Sequence, residues 1–165
     1  MISILGIFGC KSHIPLQTVD KIDLQKYTGK WYEIAAFPQR FEKGCNCTTA
    51  EYELSSKGFI KVINSCRKNS TDGLLTRIEG KAFIDKNNNA KLKVQFFWPF
   101  KGKYWIIDLA DDYSYAVVGH PNRKYLWILC RNPFIEKSIY DGIIKRIKEK
   151  GFDVSKLVTT NQGCK

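Results

Sequence analysis

Eight short segments of alternating polar and apolar residues follow one another along this chain, and a single helical segment closes the series. The segments cover residues 31–37, 51–54, 59–64, 77–84, 91–97, 104–109, 115–118 and 126–130. A period of two sends successive side chains to opposite faces of a sheet. Ser55-Ser56-Lys57-Gly58, Asn87-Asn88-Asn89 and Pro121-Asn122-Arg123 provide turns between them. Eight strands joined in order by short connections predict an all-β fold, an eight-stranded antiparallel up-and-down β-barrel. Closure removes the edges that invite aggregation and leaves room inside for one small ligand.

After the last strand the period changes. Asn132 is the expected N-cap, with Pro133 at the first helical position. Ile135, Ile139, Ile143 and Ile147 form an apolar stripe, Lys145, Lys148 and Lys150 suit the last turns, and Gly151 is placed to end the helix. A stripe of this kind backed by lysines is compatible with a membrane surface. The expected role is packing, one C-terminal α-helix laid against the outside of the barrel.

The chain has 165 residues, 44% of them hydrophobic, which suits one domain with a core of its own. That domain is expected over residues 20–165, after an apolar segment at 1–9 and a polar tether at 10–19. The net charge of +11 raises the question of nucleic acid. The lysines are spread along the chain, with no dense basic block interleaved with stacking aromatics, so no nucleic-acid partner is expected. A weak attraction to anionic lipid headgroups fits the same charge.

The first nine residues are too short to span a bilayer. Ile7-Phe8-Gly9-Cys10 resembles the lipobox that ends a bacterial lipoprotein signal. The resemblance implies that Cys10 becomes the mature N-terminus and carries the membrane anchor, on a protein of the outer membrane facing the periplasm. The pattern departs from the family in lacking a basic stretch before the apolar run, which points to a start further upstream.

Tyr27-Thr28-Gly29-Lys30-Trp31-Tyr32-Glu33-Ile34-Ala35 resembles the opening motif of the lipocalins, with Gly29 and Trp31 as its signature pair. A second motif, usually Thr-Asp-Tyr, reads Asp111-Asp112-Tyr113, and a third centres on Arg131 after the last strand. Gly-x-Trp alone is weak; three motifs in order before a helix are specific. Phe37-Pro38-Gln39-Arg40-Phe41-Glu42-Lys43-Gly44 and Gly151-Phe152-Asp153-Val154-Ser155-Lys156 carry a likeness to the bacterial outer-membrane, apolipoprotein D-like branch. The resemblance implies a barrel that holds a fatty acid, a lysophospholipid or a similar lipophile, as a monomer or homodimer. It also implies that Trp31 lies across the closed end with Arg131 over its ring, a cation–π arrangement that is structural.

Counting by twos from an inward Trp31 puts Glu33 and Ala35 inside. The same alternation turns Tyr52, Val62, Val94 and Phe96 into the barrel. Tyr104, Ile106, Val118 and Trp127 complete the expected ligand-binding wall, an apolar cup with polar edges at Tyr52, Tyr104 and Trp127. A register slip of one residue would turn a whole strand over. The loops at Arg40-Phe41-Glu42 and Trp98-Pro99-Phe100 are expected to control entry.

Six cysteines suggest an oxidising compartment and allow fifteen connectivities. The family resemblance implies Cys47–Cys164 and Cys45–Cys66. The hairpin itself leaves a rival open, Cys47–Cys66 with Cys45–Cys164, because residues 47 and 66 lie nearly opposite across its turn. Cys130 is expected as a free thiol under the helix. No cofactor or metal is expected, and no catalytic residue: the two histidines, His13 and His120, form no metal-ligand spacing, and no nucleophile elbow is present. Two alternatives stay beside the carrier reading. One is a lipid- or pigment-modifying enzyme on the same scaffold; the other is an envelope interaction protein with a filled barrel.

Overall fold

The computed structural model describes residues 14–164; Cys10 and the apolar segment before it lie outside the described residues. Eight antiparallel strands form the wall: β1 (Gly29–Ala36), β2 (Cys45–Leu54), β3 (Ile60–Lys68), β4 (Leu75–Ile84), β5 (Lys91–Gln95), β6 (Gly102–Leu109), β7 (Tyr115–Gly119) and β8 (Leu126–Cys130). They pair in chain order, and β1 pairs with both β8 and β2, so the sheet closes into the barrel that the alternation predicts. A short helix α1 (Leu24–Tyr27), a longer helix α2 (Lys137–Glu149) and a two-residue strand β9 (Val158–Thr159) complete the fold.

Strand β1 divides its length between neighbours. Gly29 to Tyr32 pair with β2, and Tyr32 to Ala36 pair with β8. Where β2 departs, β9 takes its place against Ala35 and Ala36. The C-terminal segment is laced into this opening. Thr160 N–H donates to Ile34 O at 2.9 Å, and Cys47 N–H donates to Asn161 O at 2.7 Å. Gln162 Nε2 donates to both Glu33 O and Thr48 O, bridging the two separating strands.

The same opening decides the disulfides. The β2–β3 register slips between Asn46 and Thr49, and Cys47 adopts a positive φ of 51°. That bulge takes Cys47 out of the hairpin ladder and towards the C-terminus. The bridges are Cys45–Cys66 and Cys47–Cys164, with Cα atoms 5.4 and 6.1 Å apart, and Cys130 is a buried free thiol. Cys47–Cys164 spans 117 residues and Cys45–Cys66 only 21. If lost chain entropy dominates, Cys164→Ser lowers stability by about 5 kcal/mol and Cys66→Ser by about 3 kcal/mol. Urea unfolding of both variants checks this, and the opposite order would refute the entropic account.

Two bulges shape the outer face. In β1 the register shifts between Glu33 and Ala35, so Ile34 and Ala35 both join the outer apolar cluster. Ala35, expected in the cup by strict alternation, therefore lies beneath α2: the extra residue breaks the count of two. A second shift between Ile106 and Asp108 in β6 keeps Asp108 on the outer face, beside Ile107 of the same cluster. Against this surface α2 buries Ile143 and Ile147 completely, while Ile139 remains partly exposed. Arg146 fastens the helix, donating to Asp108 Oδ2 and to the Tyr115 hydroxyl, both at 2.8 Å.

The helix begins later than its sequence signals suggest. Its N-cap is Glu136, not Asn132. Proline disfavours helical geometry in the residue before it, and the backbone of Arg131 is still tied to Ser114 O. Residues 132–136 instead carry the chain from the end of β8 to the outer face, where Ile135 packs before the first turn. The C-terminus behaves as expected. Gly151 has φ 85°, its N–H reaches Lys148 O, and Phe152 N–H reaches Ile147 O. This paired capping needs the left-handed conformation that glycine adopts freely.

Part of the expected tether is also packed. Leu16 is buried in the outer cluster, and Val19 N–H donates to Ile106 O. The described residues 14–19 thus run against the barrel.

Candidate functional site, an apolar cavity with one polar side

The closed end is built first. Trp31 is fully buried, and its Nε1 donates to Tyr27 O at 2.9 Å. The Arg131 guanidinium lies 3.7 Å from the Trp31 ring centroid and donates to Lys30 O and Lys26 O. Gly29 takes φ 91°, which other residues rarely adopt, at the point where the chain turns from α1 into β1 beside Arg131. The Tyr113 hydroxyl accepts from Asp23 N–H at 2.7 Å, tying the β6–β7 turn to the start of α1. Asp112 holds that turn through Ser114 N–H, and its hydrogen bonds to Ser114 keep its carboxyl below the usual range. Gly29, Trp31, Asp112, Tyr113 and Arg131 all serve the closed end, and none of them lines the cavity.

Three tyrosines link this floor to the space beyond it. Tyr104 OH bonds to both Tyr27 OH and Tyr52 OH, at 2.9 and 2.8 Å. Burial pushes the Tyr52 phenol up to about 12 and raises Tyr27 and Tyr104 well above the usual phenol range. All three stay neutral and act as fixed hydrogen-bonding groups.

Beyond them lies a cavity of about 520 Å³. Tyr52, Val62, Val94, Phe96, Tyr104 and Trp127 line it. Ile106 and Val118 do not: both point inward but are fully buried in the barrel's core cluster with Trp31 and Leu92. Alternation names the face of a residue and says nothing about whether space is left in front of it. Of the two loops expected at the entrance, Phe41, Glu42 and Phe100 line the cavity, and Gln39, Phe97 and Lys101, which sequence reasoning did not name, join them. Gln39, Phe41 and Glu42 enter from the loop after β1, and Phe97, Phe100 and Lys101 from the β5–β6 loop. Phe97, Trp98 and Phe100 also stand exposed as an aromatic rim.

His120, in the β7–β8 turn, reaches the cavity as well. Its Nδ1 accepts from Asn122 N–H, and burial lowers its pKa. Among the described residues no group of three or more His, Cys, Asp or Glu side chains could hold a metal ion.

The polar groups collect where β1 and β2 separate. Glu33 is only 6% exposed, and its carboxyl accepts from the Thr160 hydroxyl. Burial, and secondarily the neighbouring Glu42, raise its pKa to about 8. Glu42 accepts from Trp127 Nε1 at 3.2 Å, and burial raises its pKa too. Thr48 Oγ1, Asn64 Oδ1 and both side-chain polar atoms of Gln39 are buried at the cavity without a hydrogen-bond partner. Buried polar atoms without partners are uncommon and costly, so this side is built for something besides hydrocarbon.

Comparison with known proteins fits this architecture. Residues 22–162 match the family model described as a lipocalin-like domain. The chain is 40% identical over 149 residues to the outer membrane lipoprotein Blc of Vibrio cholerae, covering 89% of this chain and 86% of that one. It is 38% identical over 157 residues to apolipoprotein D of Mus musculus, covering 87% and 78%. Insecticyanin from the tobacco hornworm Manduca sexta superposes with a TM-score of 0.71 at 26% identity, covering 88% of this chain and 84% of that one. A closed barrel, an outside helix, a Trp–Arg floor and a family match over most of its length lead to one conclusion: the chain belongs to the lipocalin-like family.

Proposed function

We propose that this protein binds and carries a small lipophile with an acyl-like chain, of the fatty-acid or lysophospholipid class, at a bacterial cell envelope. The observation that carries this reading is the cavity, closed at one end and entered between aromatic loops. Its size falls in the range of small-molecule pockets, which are mostly apolar with a few placed polar groups. The Ile7-Phe8-Gly9-Cys10 motif supports attachment through a lipid on Cys10, and similarity to outer membrane lipoproteins points to the same place.

Native mass spectrometry of protein purified from membranes tests the reading. One lipid per chain is expected, released unchanged on extraction. Val94→Trp, which fills the cup, is expected to weaken lysophospholipid binding roughly tenfold while the variant still unfolds cooperatively. Conversion of the lipid to product, or an empty barrel that binds none of the lipids offered, would overturn it. The same preparation reports the anchor: an acylated N-terminal Cys10 peptide is expected, and Cys10→Ser should move the protein to the soluble fraction.

A further inference from the structure

We propose that the polar group of the bound lipophile is a protonated amine, seated between Glu33 and Glu42 on the side of the cavity where β1 and β2 separate. This rests on the carrier reading and narrows the ligand class within it.

Where β1 and β2 separate, the cavity wall is rich in acceptors. Glu33 spends one carboxyl oxygen on Thr160, and Glu42 spends one on Trp127. Asn64 Oδ1 and the Thr48 hydroxyl, on a residue only 8% exposed, add unpartnered oxygens at the same cavity. Among the fully buried side-chain atoms left without a partner at this cavity, the donors are the Gln39 amide and the same Thr48 hydroxyl. An ammonium group carries three donors and a positive charge and accepts nothing. A fatty-acid carboxylate would bring a third acceptor against two glutamates.

Among the described residues, no cation of the protein already fills this role. Lys68 is close enough to influence Glu42, but its ammonium donates to Lys43 O at 3.2 Å. Lys101 lines the cavity, yet its ammonium lies 3.9 Å over the Phe83 ring. Lys103 and His120 line the cavity and have no ion pair with either glutamate. Burial holds a proton on Glu33 near neutral pH. An ammonium docking beside it favours the carboxylate, so binding expels that proton. The groups facing Glu33 and Glu42 in this exchange are each other, Thr160, Trp127 and Lys68.

The net charge of +11 makes the test discriminating. Long-range attraction alone favours an anion, so preference for an amine reports the local site. Dodecylamine, dodecanol and dodecanoate, titrated below their micelle concentrations, share one chain and differ only in the head. The amine is expected to bind about tenfold more tightly than the alcohol and still more tightly than the carboxylate at neutral pH. Its affinity should rise between about pH 6 and pH 8, with proton release visible as buffer-dependent heat. In Glu33→Gln/Glu42→Gln the amine advantage should vanish, while dodecanol affinity changes less than about threefold. Equal or tighter binding of dodecanoate, or an amine preference that survives in the double variant, would overturn the proposal and leave the carrier reading standing. Failure of all three probes to bind would overturn the carrier reading itself.

Discussion

Replacing Trp31 by alanine is expected to lower the unfolding free energy by about 3–5 kcal/mol, the usual cost of deleting a large buried aromatic. The indole is fully buried, its Nε1 satisfies Tyr27 O, and its ring packs at a tilt against Tyr27, 5.1 Å between centroids. Its loss opens a cavity and also leaves Arg131 stacked on nothing. The guanidinium keeps its bonds to Lys26 O and Lys30 O, so the floor loosens without disappearing. Urea unfolding by circular dichroism measures the effect. Trp31→Phe, which keeps most of the buried area, should lose no more than about half as much. Because Trp31 does not line the cavity, folded Trp31→Phe should bind ligand as the parent does. A change below about 1 kcal/mol in the alanine variant would remove Trp31 from its structural role.

What the sequence made legible follows from which signals are local. Strand alternation and the isoleucine stripe are both local, so the barrel, its order and the outside helix could be read from them. The floor was legible because Gly29, Trp31 and Arg131 resemble a family pattern whose geometry is fixed. Ala35 was misplaced because a bulge adds one residue, and nothing in Glu33-Ile34-Ala35 announces a bulge. Ile106 and Val118 were assigned to the correct face, but depth along a barrel depends on what neighbouring strands already fill. The helix start was misread because Asn132-Pro133 carries strong capping chemistry, whereas the chain must first clear the end of β8. The polar side of the cavity was the least legible. Glu33 and Glu42 are nine positions apart, and only the fold of the loop after β1 brings the second carboxyl to the same cavity, near enough to influence the first. The disulfides show the same limit from the other direction. Hairpin geometry left two pairings open, and the bulge at Cys47 resolved them.

The polar side also carries a consequence for stability that depends on no ligand. The Glu33 pKa is raised from an ordinary 4.5 to about 8, first by burial and then by the nearness of Glu42. Between these two values the unfolded chain has lost the proton and the folded chain has kept it. Unfolding then releases a proton, so the stability contributed by this group is full below about pH 4.5 and declines until about pH 8. At about 1.4 kcal/mol per pH unit, the whole window is worth up to roughly 4–5 kcal/mol. Glu42, raised in the same direction, adds to the decline. Glu33→Gln is expected to keep the neutral form at every pH, with the Thr160 hydroxyl free to turn and accept from the new amide. The variant should match the parent near pH 4.5 and exceed it by several kcal/mol above pH 8, as read from urea midpoints at three pH values. Parallel curves for the two proteins would show that Glu33 ionises in the folded barrel as it does in water. A saturating amine should shrink the gap, because an ammonium beside Glu33 supplies in the parent what the neutral amide supplies in the variant. A saturating alcohol should leave the gap open. Stability against pH therefore reads the same pair of carboxyls that ligand preference reads, through a measurement that does not require the ligand to be known.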